Sequence, residues 1–138
     1  MLFRSRVDSQ LLHWLANTRL KPTVVLHINH ANEIDPQVQN MVGKLKNVGI
    51  NVLNQSVLLK DINDSAAALI SLSEKLFDSG IMPYYLHLMD PVQGASHFDI
   101  PEQTASNLYR QIQQELPGFL VPKLVREIPG EKSKTLQI

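Results

Sequence analysis

Polar side chains that both donate and accept hydrogen bonds occur in three short sets, each at the end of an apolar run. The sets are His27, Asn29 and His30; Asn54 and Gln55; and His87 and Asp90. If the apolar runs are parallel strands, these side chains lie at the carboxyl edge of one sheet, where parallel α/β folds bind ligands. One such histidine or asparagine is more often structural than functional, but three successive sets favour a shared polar pocket.

A metal site and the common hydrolytic sites are not favoured. On a continuous strand, His27 and His30 would point to opposite faces, so the two rings would not bind one ion. The chain contains no Gly-x-Ser-x-Gly elbow, Walker loop or dinucleotide glycine fingerprint. Asp61 and Asp64 are better explained as helix-capping and surface groups than as an acid–base pair. We therefore predict no metal ligands.

Alternating helices and strands must position these polar sets. Helical spacing and capping residues predict helices at residues 7–20, 35–49, 64 or 65 to about 77, and 104–116. Apolar runs predict strands at residues 23–28 and 82–88, a strand and loop at 50–59, and an extended segment or edge strand within 119–128. This order indicates a parallel α/β sheet with right-handed crossovers, either open or as an arc of a barrel.

Composition excludes several classes of function. The 138 residues carry 13 basic and 13 acidic side chains, so net charge favours neither nucleic acid nor an anionic membrane as a partner. No apolar stretch is long enough for a signal peptide or a membrane span, which makes the cytoplasm the expected compartment. The chain has no cysteine, so it cannot form disulfides or ligate zinc or an iron–sulfur cluster through thiolates.

Five sequence blocks, in order, resemble the lysine 2,3-aminomutase family. They are residues 27–30 (HINH) with Glu33 and Ile34, 54–59 (NQSVLL), 83–90 (PYYLHLMD) followed by Gly94, His97 and Phe98, 118–122 (GFLVP) and 129–134 (PGEKSK). The resemblance covers nearly the whole chain. It implies the carboxy-terminal half of a partial (β/α)6 radical S-adenosylmethionine barrel with a C-terminal extension. We expect one incomplete domain, with the half-barrel in residues 1–100 and the last helix and tail in 101–138.

The resemblance also implies cofactors and site residues. The family moves the α-amino group of lysine to the β-carbon, using pyridoxal phosphate, S-adenosylmethionine and a [4Fe–4S] cluster held by a Cys-x3-Cys-x2-Cys motif. His27 and Gln55 match positions that contact S-adenosylmethionine, and Lys134 matches the lysine that binds pyridoxal phosphate covalently. Asp90 and Glu127 match two acidic positions that receive the distant amino group of substrate lysine. Better-known members carry Asp at the second position.

The end of the chain departs from the family's commoner Pro-Gly-Gly-Gly-Gly-Lys pattern. Lys132 is therefore a rival to Lys134 as the cofactor lysine. Glu127 and the sequence EKSK at 131–134 resemble the branch that makes β-lysine for modification of elongation factor P. Because the cluster cysteines are missing, we expect this chain to be inactive alone and to require the amino-terminal half of the barrel as a partner.

The alternative function is a stand-alone α/β module that binds a small molecule and has lost catalysis. If the sheet is an arc, residues 23–28 present an unpaired apolar edge, which favours self-association.

Overall fold

The computed structural model describes residues 8–89 and 100–126, together with the backbone of residues 135–136. Its helices are α1 (Ser9–Asn17), α2 (Pro36–Asn47), α3 (Ala66–Asp78) and α4 (Glu102–Glu115), and short 3-10 helices lie at Ala31–Glu33 and Gly118–Leu120. Its strands are β1 (Thr23–Leu26), β2 (Asn51–Val57), β3 (Met82–His87), β4 (Lys123–Arg126) and β5 (Thr135–Leu136). Among the described residues, no helix has the length and apolar character needed to cross a membrane.

The ends of α2 and α3 follow from local chemistry. The Asp35 carboxylate accepts a hydrogen bond from the Val38 amide at 2.9 Å, and the Ser65 hydroxyl accepts one from the Ala68 amide at 3.1 Å. These caps pair amides that have no partner within the helix. Gly49 and Gly80 follow the two helices with φ angles of 85° and 84°, a conformation that glycine adopts without steric cost. The two glycines thus end α2 and α3.

The sheet has the order β1-β2-β3-β4-β5, and β1 to β4 are all parallel. The predicted α/β fold of parallel strands is therefore confirmed. Within the described residues β1 pairs with β2 alone, and Val25 on β1 is 37% exposed. Self-association through this edge stays a prediction.

The segment 119–128 contributes more to the sheet than the sequence indicated. Its central residues form β4, a fourth parallel strand, which pairs Leu124 with Leu86 of β3. The other side of β4 pairs with the antiparallel strand β5. The expected edge strand is thus wrong, because β4 lies inside the sheet.

The described helices pack on one face of the sheet. Their apolar side chains and those of alternate strand residues form two buried clusters, which include Leu26, Ile28, Val38, Val42, Leu45, Val52 and Ile81 in the first and Leu58, Leu69, Leu86, Ile112 and Leu124 in the second. Tyr109 of α4 joins the second cluster and donates a hydrogen bond to the Pro122 carbonyl at 2.8 Å. Burial raises the pKa of Tyr109.

Candidate functional site

Residues on the opposite face of the sheet from the described helices form the candidate site. Leu26 and Ile28 point into the core, whereas His27 between them is exposed. Leu26 lies opposite Asn54 in the ladder, so His27 and Gln55 follow at the same level on neighbouring strands. Gln55 is half-buried, in contrast to the buried Asn54 before it. We call this surface, which includes His27, Gln55, Tyr85 and His87, the open face.

Gln55 and His87, from two different predicted sets, lie in contact on the open face. The carboxamide oxygen of Gln55 is 3.2 Å from Nε2 of His87. With Nε2 protonated, the ring donates to that oxygen, which leaves the Gln55 amide nitrogen without a partner among the described residues. The ring of Tyr85 packs edge-on against His87 with centroids 5.7 Å apart. The arrangement offers a hydrogen-bond donor beside an aromatic wall.

A register irregularity widens that aromatic wall. Asn54 lies opposite Pro83, but Gln55 lies opposite Tyr85, so Tyr84 is an extra residue in β3. The bulge places the rings of Tyr84 and Tyr85 next to each other, with centroids 4.0 Å apart. Sequence reasoning did not single out these tyrosines as site residues, since their pattern is also typical of a strand.

The Asn54 side chain, by contrast, bonds the backbone of Ile28, two residues after the end of β1. It is 1% exposed, its side-chain oxygen accepts from the Ile28 amide at 2.9 Å, and its nitrogen donates to the Ile28 carbonyl at 3.0 Å. Asn54 therefore has a structural role and does not face a ligand site directly.

Asn29 and Asn63 continue this structural role beyond the ends of β1 and β2. The Asn29 side chain accepts from the Val57 amide at 2.9 Å. Asn63 is 1% exposed; its side chain donates to the carbonyls of Asn29 and Val57, both at 2.9 Å, and accepts from the Leu59 amide at 2.8 Å. Sequence reasoning missed Asn63, and its only signal was an amide in the loop between a strand and a helix.

His30 also serves the local backbone. Its Nδ1 accepts from the Asn32 amide at 3.1 Å, and the Glu33 carboxylate accepts from the amides of Asn29 and His30 at 2.7 Å and 2.9 Å. These contacts form a capping box on the first 3-10 helix. In the first polar set, the side chains of Asn29 and His30 bond the local backbone, whereas the exposed His27 ring makes no such bond among the described residues.

The Asp64 carboxylate accepts a hydrogen bond from the Asp61 amide at 3.1 Å, and Ser65 rather than Asp64 caps α3. No three His, Asp or Glu side chains converge on a possible metal position within the part of the chain that the structure describes. Asp90, Glu127, Lys132 and Lys134 lie outside the described residues, so their assigned roles stay predictions.

Comparison with known proteins gives these features a context. No protein-family model matches the chain. The sequence is 49% identical over 131 residues to "L-lysine 2,3-aminomutase" of Escherichia coli K12, covering 95% of this chain and 38% of that protein. It is 53% identical over 131 residues to the Haemophilus influenzae protein of the same name, covering 95% of this chain and 39% of that protein. The chain is a homologue of part of the L-lysine 2,3-aminomutases.

More distant aminomutases and a solved structure agree with this relationship. The aminomutase of Clostridium subterminale is 32% identical over 109 residues, which cover 79% of this chain and 26% of that protein. The crystal structure of a radical SAM methyltransferase from Sphaerobacter thermophilus has a TM-score of 0.58 at 14% identity, covering 85% of this chain and 37% of that one. At so low an identity the likeness concerns the fold alone. It confirms the predicted α/β fold of parallel strands with crossover helices.

Proposed function

We propose that this chain is the carboxy-terminal portion of an enzyme that converts L-lysine into β-lysine by moving its α-amino group to the β-carbon. The observation that carries the proposal is 49–53% identity, over 95% of the chain, to two L-lysine 2,3-aminomutases. The open face supports it, since the Gln55–His87 pair and the exposed His27 after β1 lie on the side of the parallel sheet away from the described helices, and parallel folds bind ligands beyond the carboxyl ends of their strands. The variants Glu127 and EKSK favour the β-lysine branch that serves elongation factor P, in the cytoplasm.

His27 and Gln55 fit the proposed contacts with S-adenosylmethionine. Both lie on the open face, one as an exposed imidazole and the other with a carboxamide nitrogen not used by the described residues. They can donate to the ribose or carboxylate oxygens of the cofactor and fix its orientation beside the tyrosine wall. The bound cofactor supplies the radical chemistry that protein side chains alone cannot.

An iron–sulfur cluster does not fit the residues of this chain. Its usual thiolate ligands are cysteines, and the sequence contains none. We therefore place the cluster on a partner segment, the amino-terminal half of the barrel, and treat residues 1–138 as a single incomplete domain. The isolated chain should not turn over lysine.

The substrate and pyridoxal phosphate are assigned to Asp90 and to two residues near the end of the sequence. Lys134 is proposed to bind pyridoxal phosphate covalently, which requires the free amine and hence a lowered pKa in its pocket. Asp90 and Glu127 are proposed to receive the distant ammonium group of lysine through charge-assisted hydrogen bonds. Glutamate is one methylene longer than aspartate, so it should place the substrate differently from the commoner enzymes.

Covalent trapping tests the lysine assignment. The full chain is incubated with pyridoxal phosphate and reduced with borohydride, and the labelled peptide is mapped by mass spectrometry. We expect the label mainly on Lys134, with most of it lost in Lys134→Ala and retained in the matched control Lys132→Ala. Label spread evenly over Lys44, Lys46 and the tail lysines would contradict the assignment.

A further inference from the structure

The regular ladder between β1 and β2 stops just before the candidate site. Its last pair joins Leu26 to Asn54, and β1 ends there. The backbone of Ile28, two residues further on, is 0% exposed and needs partners for its amide and its carbonyl. The Asn54 side chain supplies both, at 2.9 Å and 3.0 Å. Asn54 thus pairs with Leu26 in the ladder and bonds Ile28 through its side chain, which are the residues on either side of His27.

The chemistry of this contact requires a carboxamide. Asn54 lies on the core-facing side of β2, between the buried residues Val52 and Ser56, where an apolar side chain would ordinarily pack. A leucine there would leave the amide and carbonyl of Ile28 buried without partners, which costs more than the leucine gains. A carboxylate could accept from the amide but would face the carbonyl oxygen without a proton to donate. Donor and acceptor are both needed.

We propose that Asn54 is a positioning residue that sets His27 relative to Gln55. Its backbone carries Gln55 directly onto the open face, while its side chain fixes the segment that carries His27. The relative placement of the two side chains is therefore defined by one residue that never contacts the ligand. The importance of that placement rests on the proposed function, whereas the placement itself is measurable without any ligand.

The variant Asn54→Asp tests the requirement for a donor. Its carboxyl group, buried against the Ile28 carbonyl, has a raised pKa, and its protonated form can donate and accept as asparagine does. Its neighbours on β2, α3 and β3 include Ser56, Leu72, Ser73 and Tyr85. His27 precedes Ile28 on the bonded segment, so each spectrum is compared with that of the wild type at the same pH. Asn51→Asp, at the exposed start of the same strand, is the matched control.

Two-dimensional amide NMR of the full chain gives the readout. At about pH 8 the amides of His27, Ile28 and Gln55 should shift together in Asn54→Asp, and at about pH 5 they should return to the wild-type positions. Asn51→Asp should leave all three unchanged at both values. If only stability falls and the His27 and Gln55 signals stay in place, Asn54 does not position them. If the shifts persist at low pH, the donor requirement is wrong.

The wild-type protein provides a second measurement in case the variant does not fold at either pH. The Ile28 amide should exchange its hydrogen as slowly as that of Leu58, because both residues are buried and both amides are hydrogen-bonded. Exchange as fast as that of the exposed residue Lys60 would overturn the proposal. Failure of the wild type to bind S-adenosylmethionine would count against the proposed function. The amide shifts of Asn54→Asp and the exchange rate of the Ile28 amide would still test the role of Asn54, because neither requires a ligand.

Discussion

The end of the β1–β2 pair and the open face use the same kinds of side chain in different ways. At the strand ends, the buried side chains of Asn54 and Asn63 bond backbone groups through both their oxygen and their nitrogen atoms. On the open face, Gln55 and His87 are half-buried and contact each other, with a donor still available on Gln55. Burial and partner type, rather than residue type, separate the structural amides from those that can bind a ligand.

The comparison predicts its largest effect for Asn63. Asn63→Ala leaves two carbonyls and one amide without partners in a buried position, and should lower the free energy of unfolding by about 2–4 kcal/mol. Urea denaturation followed by circular dichroism measures the change. Asn40→Ala, on the exposed side of α2, is the control and should change it by less than about 0.5 kcal/mol. If Asn63→Ala and Asn40→Ala lowered the free energy of unfolding equally, the buried backbone contacts of Asn63 would not have the structural role assigned to them.

A smaller effect is expected at Asn29, where the side chain acts only as an acceptor in the contact with Val57. Asn29→Ala should cost about 1 kcal/mol, whereas Asn29→Asp keeps the acceptor and should cost less than about half of that. The same denaturation experiment decides this. If Asn29→Asp destabilises as much as Asn29→Ala, the side-chain nitrogen has a role that this hydrogen bond does not explain.

Much of the fold followed from the sequence because its signals are local. Asp35 and Ser65 cap helices, Gly49 and Gly80 end them, and helix–strand alternation requires parallel pairing. The strand β4 was underestimated, since KLVR is short and has a basic residue at each end. Its place in the sheet is set by pairing with β3, which no local pattern encodes.

The candidate site was predicted less completely. His27, Gln55 and His87 were identified, but so were Asn29, Asn54 and His30, which bond the backbone. A polar residue at a strand end has the same sequence signature in both roles, because only the three-dimensional partners decide between them. Asn63 was missed for the same reason: its three backbone partners are distant or lie in an irregular loop.

The most direct test of the account is titration of the full chain with S-adenosylmethionine, followed by amide and histidine-ring NMR. We predict saturable shifts at His27, Gln55 and His87, and little change at Asn51 on the amino-terminal end of β2. In Gln55→Ala, the shifts should require about 10-fold more ligand, the loss expected for one hydrogen bond to a polar ligand group, with stability nearly unchanged. Shifts that avoid the open face, or an unchanged affinity in Gln55→Ala, would contradict the assignment of this face as the cofactor site.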